Sequence, residues 1–525
     1  MNADDLSVLL INPPGARPCE PPAGLALLAA TLEQRGIQHK LWDAGIEGLL
    51  ELIENGGDGS DTWTIRANRN RSSHISGLRN GKAFLRFDTY TRVIGDLERV
   101  LARHHSARYG WHLGLSNITC DMRRPTCSSE LLQAVDTPLS DPFVAALRPR
   151  FESLLEKNNF THAGISINYL TQAPSAFALI GLLRIMLPRI RIILGGGLIT
   201  SWLNRPDWKN PFTGAVDRMV SGPGAEALLD FLGQDPVREP IYPMNSSVGA
   251  DNMILPGFNE LPLESYLSPG LILPLSTAIG CWWKRCAFCP ESSEGVDYQP
   301  SGTPEEIVTR ISRLAQIYKP RLVHLLDDAL SPAVLSTLAG SDIGVSWYGF
   351  ARFGPPLDDP NVCRALARSG CLMLQLGLES GDEGVLEAMG KGIDLAMAGR
   401  ILHNLNEAGI TPYVYLLFGT PAESEPEARA TLAFVAKHAS VIGFLNLAIF
   451  NLPAYGPETA SLSTFPIDDS DLGLYRKFEH PRGWNRYKVR RFVNVEFRNH
   501  PAIAPILRRD PPVFTSSHAP FFRIK

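Results

Sequence analysis

The 525-residue chain is 44% hydrophobic, 20% charged and 9% aromatic, which excludes a disordered chain and, at roughly 100 to 200 residues per domain, a single core. A formal net charge of -4 gives no general attraction to nucleic acid or an anionic membrane. Eight cysteines in this length are too sparse for a disulfide framework, so clustered ones are read as ligands or catalysts.

The start, 1-MNADDLSVLLINPPG-15, has two acids and no basic segment before its short apolar run, unlike a signal peptide. No apolar run approaches the roughly 18 to 20 residues of a bilayer span, and the expected location is the cytoplasm. Residues 7-SVLLIN-12 form a strand, 24-GLALLAATLEQRG-36 a helix with a glycine stop, and 38-QHKLWD-43 a second strand. An insertion over 51–155 opens with the polar, Arg-rich 56-GGDGSDTWTIRANRNRSSHISG-77 and continues with a helix near 90–105. Alternation then resumes: strand 162–168, helix 173–188, strand 190-IRIILGGG-197, strand 217–222 and helix 224-GAEALLDFLG-233. Such alternation predicts a Rossmann-like, doubly wound parallel sheet built from 1–50 and 156–235, with ligands at the carboxyl ends of its strands.

Residues 236–268 are Pro- and Asn-rich and form a linker. A second alternating block, 269–465, has strands at 271–277, 321–327, 345–351, 372–379, 411–419 and 442–450. Six strand-helix units suit a partial, six-stranded TIM-type barrel, with functional residues just after the strands. The extension 466–525 is basic from 475 onward, with 12 Lys/Arg against three Asp/Glu, interleaved with Tyr475, Phe478, Trp484, Tyr487, Phe492 and Phe497. It is expected to anchor on the barrel by its aromatics, its charges in water; a nucleic-acid surface is the lesser reading.

The stretch 277-TAIGCWWKRCAFCPES-292 sets Cys281, Cys286 and Cys289 directly after the first strand of this block. Thiolates so close in a loop favour a soft metal site, zinc or iron-sulfur. Zinc lacks a fourth ligand, and the nearest histidine, His324, is placed after the strand of the next unit. A [4Fe-4S] cluster on three cysteines leaves one iron open for an external ligand.

This strand, cysteine loop and barrel resemble the radical S-adenosylmethionine (SAM) superfamily. The resemblance implies that the open iron is chelated by the amino and carboxylate groups of SAM, which an electron from the cluster cleaves to a 5'-deoxyadenosyl radical. The usual family spacing is Cys-x3-Cys-x2-Cys, whereas this chain has Cys-x4-Cys-x2-Cys, so the loop differs in shape. By the same resemblance Phe288 lies near the adenine, and Asp327 or Asp328 in 326-LDDAL-330 near the SAM amino group. Glu379 and Ser380 in 377-GLESG-381, and Gly419 in 418-FGTPAES-424, are placed beside SAM or substrate. Arg352, after the third strand, is suited to bidentate pairing with a carboxylate. Trp282 and Trp283 are read as packing around the cluster.

The first domain resembles the cobalamin-binding domain that precedes the barrel in one large subgroup. The matching residues are 8-VLLINPPG-15, 195-GGG-197 and 221-SGPGAEALL-229, which makes Asn12, Pro13, Gly195, Gly196, Gly197, Gly222 and Gly224 the cobalamin-binding candidates. The glycines allow close backbone approach, and the helix at Gly224 offers N–H groups to an anion. An Asp-x-His-x-x-Gly axial-ligand sequence is absent; 72-SSHISG-77 lacks the Asp, and His74 is not expected to serve. The resemblance thus implies a radical SAM enzyme, with cobalamin-dependent C-methylation of a small molecule or peptide as the specific reading and flavodoxin or ferredoxin as electron donor. A radical rearrangement or cyclisation without methyl transfer is the enzymatic alternative, and a zinc-bound nucleic-acid interaction module the alternative of another class.

Overall fold

The computed structural model describes residues 6–57, 59, 61–104, 109–233, 255–292 and 297–523; residues 236–254 of the expected linker lie outside these. The chain opens with β1 (Ser7–Asn12), α1 (Ala23–Gln34) and β2 (Gln38–Asp43). After α2 (Ala44–Asn55), α3 (Thr62–Arg79) and α4 (Phe87–Leu101) come a small hairpin, β3 (Trp111–Leu113) and β4 (Ile118–Cys120), then α5 (Ser128–Asp136) and α6 (Pro142–Lys157). The first sheet resumes with β5 (His162–Ser166), α7 (Ala173–Met186), β6 (Arg191–Gly195), α8 (Gly197–Leu203), β7 (Arg218–Met219) and α9 (Gly224–Phe231). Its order is β2-β1-β5-β6-β7, all parallel, so strand order reverses between β1 and β5. A ligand crevice forms at such a switch point, outside the carboxyl ends of the strands.

Two expectations shift here. The strand expected to run to residue 197 ends at Gly195, because Gly197 already starts α8, and that expected over 217–222 is only two residues long. The polar stretch 56–77 contains most of an 18-residue helix, α3, capped by Asp61 accepting from the Trp63 and Thr64 amides. Little of α3 is buried, but it lies along the apolar face of α4, whose Tyr90, Val93, Ile94 and Leu97 are buried. Asp96 joins the pair through Arg66 at 2.7 Å and His74 at 3.0 Å, so His74 is spent inside the insertion.

The second block is a six-stranded parallel sheet in the order β8 (Ile272–Leu275), β11 (Leu322–Leu325), β12 (Trp347–Ala351), β13 (Cys371–Glu379), β14 (Thr411–Phe418) and β15 (Phe444–Ile449). Two short strands, β9 (Ala278–Ile279) and β10 (Gln299–Pro300), pair beside the cysteine loop. Helices α10 (Pro304–Tyr318), α11 (Pro332–Ala339), α12 (Pro360–Arg368), α13 (Glu383–Ala388), α14 (Leu395–Glu407) and α15 (Glu425–Lys437) connect the strands. The alternating residues Leu273, Val323, Leu374, Val414 and Leu445 share a core with these helices, as a partial barrel requires.

The opposite, inner face begins with Ile272, Leu322, Tyr348, Met373, Tyr413 and Phe444, which share a core with Phe514, Ala519 and Phe521 of the tail. The tail therefore plugs the amino end of the barrel. Upstream, Trp484, Phe492 and Phe497 are buried while Tyr487 is 73% exposed, with Phe497 set 5.1 Å from Phe418 by ring centroid. Trp484 Nε1 donates at 3.0 Å to Glu423, a fully buried carboxyl.

Burial lifts Glu423 to about 7 and, in the tail, Asp510 to about 7 as well. A carboxyl raised on folding keeps a proton that the unfolded chain has lost, so its contribution is full below the ordinary carboxyl value and vanishes as pH rises toward 7. Limited proteolysis is expected to cut the tail faster at about pH 8 than at about pH 5.5, and Glu423→Gln to flatten that difference in part.

Candidate active site at the carboxyl end of the barrel

Cys281, Cys286 and Cys289 leave the carboxyl end of β8 on one loop, Cys286 buried and the other two half-buried. Within the Cys-x4-Cys segment the backbone turns at Lys284, whose φ of 45° lies in the left-handed region. That turn aims Lys284 Nζ outward to Asp297 at 2.9 Å. The loop is then fixed to the segment following α13: the Ala287 amide donates to Met389 O at 2.9 Å and Trp283 Nε1 to Gly390 O at 3.0 Å. Gly392 lies directly beneath the Trp283 ring, where a Cβ would stand 2.4 Å from the indole. The two tryptophans do pack around the loop, edge to face at 5.9 Å.

Arg352, at the end of β12, does not present its guanidinium to an open carboxylate position. It donates to Cys286 Sγ at 3.9 Å and to Lys391 O, and stacks 4.1 Å over Trp283. Burial lowers its pKa. Burial likewise raises the Cys286 thiol, against the downward pull of Lys391 and Arg352, and pushes Cys289 up to about 12. Ligation must therefore compensate the cost of keeping these sulfurs ionised in a half-dry loop.

Glu379 sits at a bulge in β13 with φ 68° and accepts from Lys391 Nζ at 2.8 Å, the side chains only 12% and 8% exposed. Gly377 makes room for this pair, since a Cβ there would stand 2.4 Å from Glu379 Oε1 and 2.8 Å from Lys391 Nζ. Lys391 Nζ also lies 5.4 Å from the centroid of the Phe288 ring. Thus Phe288, Arg352 and Glu379 converge around Cys286, and Lys391, which the sequence reading passed over, links them. Its only sequence signal is its place in 390-GKG-392, just past the Gly-x-Glu-Ser-Gly segment.

The other SAM-site candidates are placed differently. Asp327 is buried and turned back to Thr277, accepting from its amide at 3.0 Å and its hydroxyl at 2.7 Å; it ties β11 to the root of the cysteine loop. Asp328 is exposed and near enough to Cys289 to act on its charge. Ser380 is fully buried, 3.3 Å from the Thr431 hydroxyl and capping the Asp382 amide at 3.2 Å. It faces α15. Gly419 has φ 83° and gives its amide to Glu423 at 2.5 Å, so its conformation serves the turn that receives the tail.

In the first domain Asn12 bridges Asp43 at 2.9 Å and Gln172 at 3.1 Å, and Pro13 O accepts from the same Gln172 amide at 3.0 Å. Tyr266, which precedes β8, donates to Asp43 at 2.6 Å, so this buried knot also locks the two domains together. Gly196 has φ 103°, and a Cβ there would meet Ile167 O at 2.5 Å; its close approach is to the protein's own backbone. Among the described residues, nothing lies within 4 Å of a Cβ built at Gly195 or Gly222, and only Leu28 does at Gly224. The carboxyl edge of the sheet is thus open at these three glycines. Gly197 gives its amide to Asn168 Oδ1 at 3.0 Å. Gly196→Ala is expected to destabilise the protein by at least about 1 kcal/mol through left-handed strain plus this clash, read as a lower urea midpoint, whereas Gly222→Ala should lose only its positive-φ preference.

The donor set fits a [4Fe-4S] cluster: three thiols on one loop and a guanidinium donating to one of them. His324 does not complete a zinc site, because its Nδ1 bonds Glu20 at 2.9 Å and its ring stacks on Tyr348 at 4.3 Å. Among the described residues no group of three or more His, Cys, Asp or Glu side chains converges on a single ion, and no helix is long and apolar enough to cross a membrane.

Residues 275–435 match the family model of the Radical SAM superfamily. An uncharacterized methyltransferase of Pyrococcus horikoshii is 26% identical over 238 residues, 43% of this chain and 50% of its own length; the chain spans about half the length of that curated relative. TsrM of Kitasatospora setae, a radical SAM methyltransferase solved with cobalamin and a [4Fe-4S] cluster bound, superposes with a TM-score of 0.51 at 15% identity, over 87% of this chain and 77% of its own. OxsB, a cobalamin-dependent SAM radical enzyme solved with aqua-cobalamin, gives 0.54 at 12% identity, over 91% and 64%. At these identities the two structures share the fold, in which a Rossmann-like sheet precedes the partial barrel. With the cysteine loop at its site and the family match running from β8 into α15, residues 275–435 carry a domain of the Radical SAM superfamily, which supports an enzyme.

Proposed function

We propose that the chain reductively cleaves SAM at a [4Fe-4S] cluster held by Cys281, Cys286 and Cys289, and that it is a cobalamin-dependent C-methyltransferase. The observation that carries the first part is the cysteine loop, docked by Trp283 and Ala287 at the carboxyl end of the barrel beside a buried Glu379–Lys391 pair. Held by Cys281, Cys286 and Cys289, the cluster would supply the electron that cleaves SAM to methionine and a 5'-deoxyadenosyl radical. The chain's own residues do the positioning. Arg352 holds positive charge against Cys286, Trp283 and Arg352 cover that side of the loop, and Phe288 offers a ring to a planar base. Glu379, fixed by Lys391, leaves a carboxylate oxygen to receive an ammonium group.

Support for cobalamin comes from the open edge at Gly195, Gly222 and Gly224, at the carboxyl ends of β6 and β7 in a sheet whose β1 loop reaches the barrel through Glu20. Held there, cobalamin would supply a transferable methyl group; His74 is engaged by Asp96 within the insertion. Substrate is a small molecule or peptide, and the reductant an electron carrier such as flavodoxin or ferredoxin. Anaerobic reconstitution with iron and sulfide, followed by chromatography for 5'-deoxyadenosine, tests the first part; no SAM cleavage under a strong reductant would sink it. Titration with cobalamin, followed by its visible spectrum, tests the second.

A further inference from the structure

A second concave site lies at the other end of β8 from the cysteine loop. It is an open cleft of about 930 Å3 between the insertion helices α2 and α3 and the segment that leads into β8, with Tyr318 at the end of α10 on its border. Leu271 stands just before β8, whereas the cysteines follow the carboxyl end of that strand. One wall is a face of α3, on which Arg71, Ile75 and Arg79 recur at i, i+4 and i+8. Leu50 and Ile75 lie at the margin of the core that contains the insertion, and Leu263, Leu271 and Tyr318 at the margin of the core beneath the barrel helices. The two apolar margins stop short of each other, and the space between them has the size of a small-molecule site.

The charge in this cleft is unbalanced. Arg79 is half-buried; its Nη2 donates to Ser265 O, while its Nε is buried with no acceptor among the described residues. Burial lowers its pKa. Arg71 spends Nε on Glu54 O at 3.0 Å and Nη1 on Asn68 O at 2.7 Å, which ties α3 to the end of α2. Among the described residues neither guanidinium has a carboxylate within 4 Å. Glu54 and Glu264 also line the cleft, but both are exposed at its rim. A place in the last turn of α3 accounts for a cation at Arg79, though not for drawing its head partly out of water. A cation so placed is ordinarily balanced by an anion.

We propose that this cleft binds a small monocarboxylic acid with an aliphatic or aryl body, its carboxylate against Arg79 and its body along the leucines. The guanidinium fork suits a carboxylate. Tyr318 Oη, which accepts from the Phe258 amide at 3.0 Å, still has its own O–H to give. The two rim carboxylates limit the ligand to a single negative charge, because a dianion would meet their repulsion twice over. Tyr266 also borders the cleft and gives its O–H to Asp43 in the knot between the domains, so the acid sits one side chain from that junction. Lying across the length of β8 from the cysteines, it is a bound ligand and not the group that reacts.

The test uses the full-length protein and two probes of one shape, 4-phenylbutyrate and 4-phenylbutanamide, of which only the first is charged. Saturation-transfer NMR titrations are expected to show the acid binding at least about tenfold more tightly, the effect of a charge-assisted hydrogen bond. Arg79→Met keeps an apolar stem and should shrink that preference to about twofold or less. Ser72→Trp, at an exposed position on the cleft wall, should abolish binding of both probes with circular dichroism unchanged. No saturable binding of 4-phenylbutyrate, equal affinity for acid and amide, a preference that survives Arg79→Met, or binding that survives Ser72→Trp overturns the proposal. Should Arg79→Met fail to fold, the wild-type comparison and Ser72→Trp decide. Neither probe depends on the cluster, and production of 5'-deoxyadenosine from SAM, measured on reconstituted protein without probe, separates failure of this site from failure of the radical SAM reading.

Discussion

Replacing Cys281, Cys286 or Cys289 by alanine is expected to reduce cluster binding by at least about 100-fold and to remove 5'-deoxyadenosine formation with it. The reason is the donor count. On the proposed reading three thiols serve the cluster, and the surrounding groups cannot substitute: His324 is held by Glu20, Asp327 by Thr277 and Glu379 by Lys391. Iron analysis and the electron paramagnetic resonance signal of the reduced protein measure the loss directly. Arg352→Met should behave differently. It leaves the three ligands in place but removes a cation and a donor 3.9 Å from Cys286 Sγ, and both favour the more negative, reduced cluster. Iron is expected to remain near wild type while the midpoint potential falls, by about 59 mV for each tenfold change in the one-electron equilibrium. A potential equal to that of wild type would show that Arg352 only packs on Trp283.

Much of this architecture is visible in the order of residues, for local reasons. Apolar runs such as 7-SVLLIN-12 and 411-TPYVYLLFG-419 are buried strands ended by Pro or Gly, and β1 and β14 fall on them. The cysteines stand out because a loop brings them together without help from the fold. What sequence order conceals is pairing across distance. Glu20 and His324 are 304 positions apart, on different domains, and nothing local marks either as the other's partner. The same holds for the tail: its aromatics were expected to anchor it on the barrel, but nothing local marks Phe514 and Phe521 as the ones that reach the barrel floor. Helix α3 was obscured for another reason: its polar composition conceals a periodicity that becomes useful only against α4. At the strand ends the motif residues were found but their orientations were not. Ser380 and Asp327 lie where a SAM ligand was expected, yet backbone turns direct Ser380 toward α15 and Asp327 toward Thr277.

The Glu379–Lys391 pair yields the other large expected effect. Lys391→Met leaves the Glu379 carboxylate without its cation behind the cysteine loop, and breaking one side of a buried pair costs about 3 to 5 kcal/mol. Glu379→Gln strands the ammonium in turn, though Phe288 still offers its ring face at 5.4 Å and should soften the loss. The double variant Glu379→Gln, Lys391→Met removes both charges together and is expected to be more stable than Lys391→Met alone, since replacing a whole buried pair is often close to neutral. Urea midpoints of the four proteins, taken anaerobically, measure the coupling; losses that simply add would mean the two side chains do not act as a pair. Function should divide along another line. Lys391→Met retains its backbone carbonyl for Arg352 and so retains the cluster, whereas the double variant, although stable, has lost the carboxylate offered to the SAM ammonium. Its expected signature is a raised SAM concentration for half-maximal 5'-deoxyadenosine formation with iron content unchanged, a separation of binding from folding that a merely structural pair would not give.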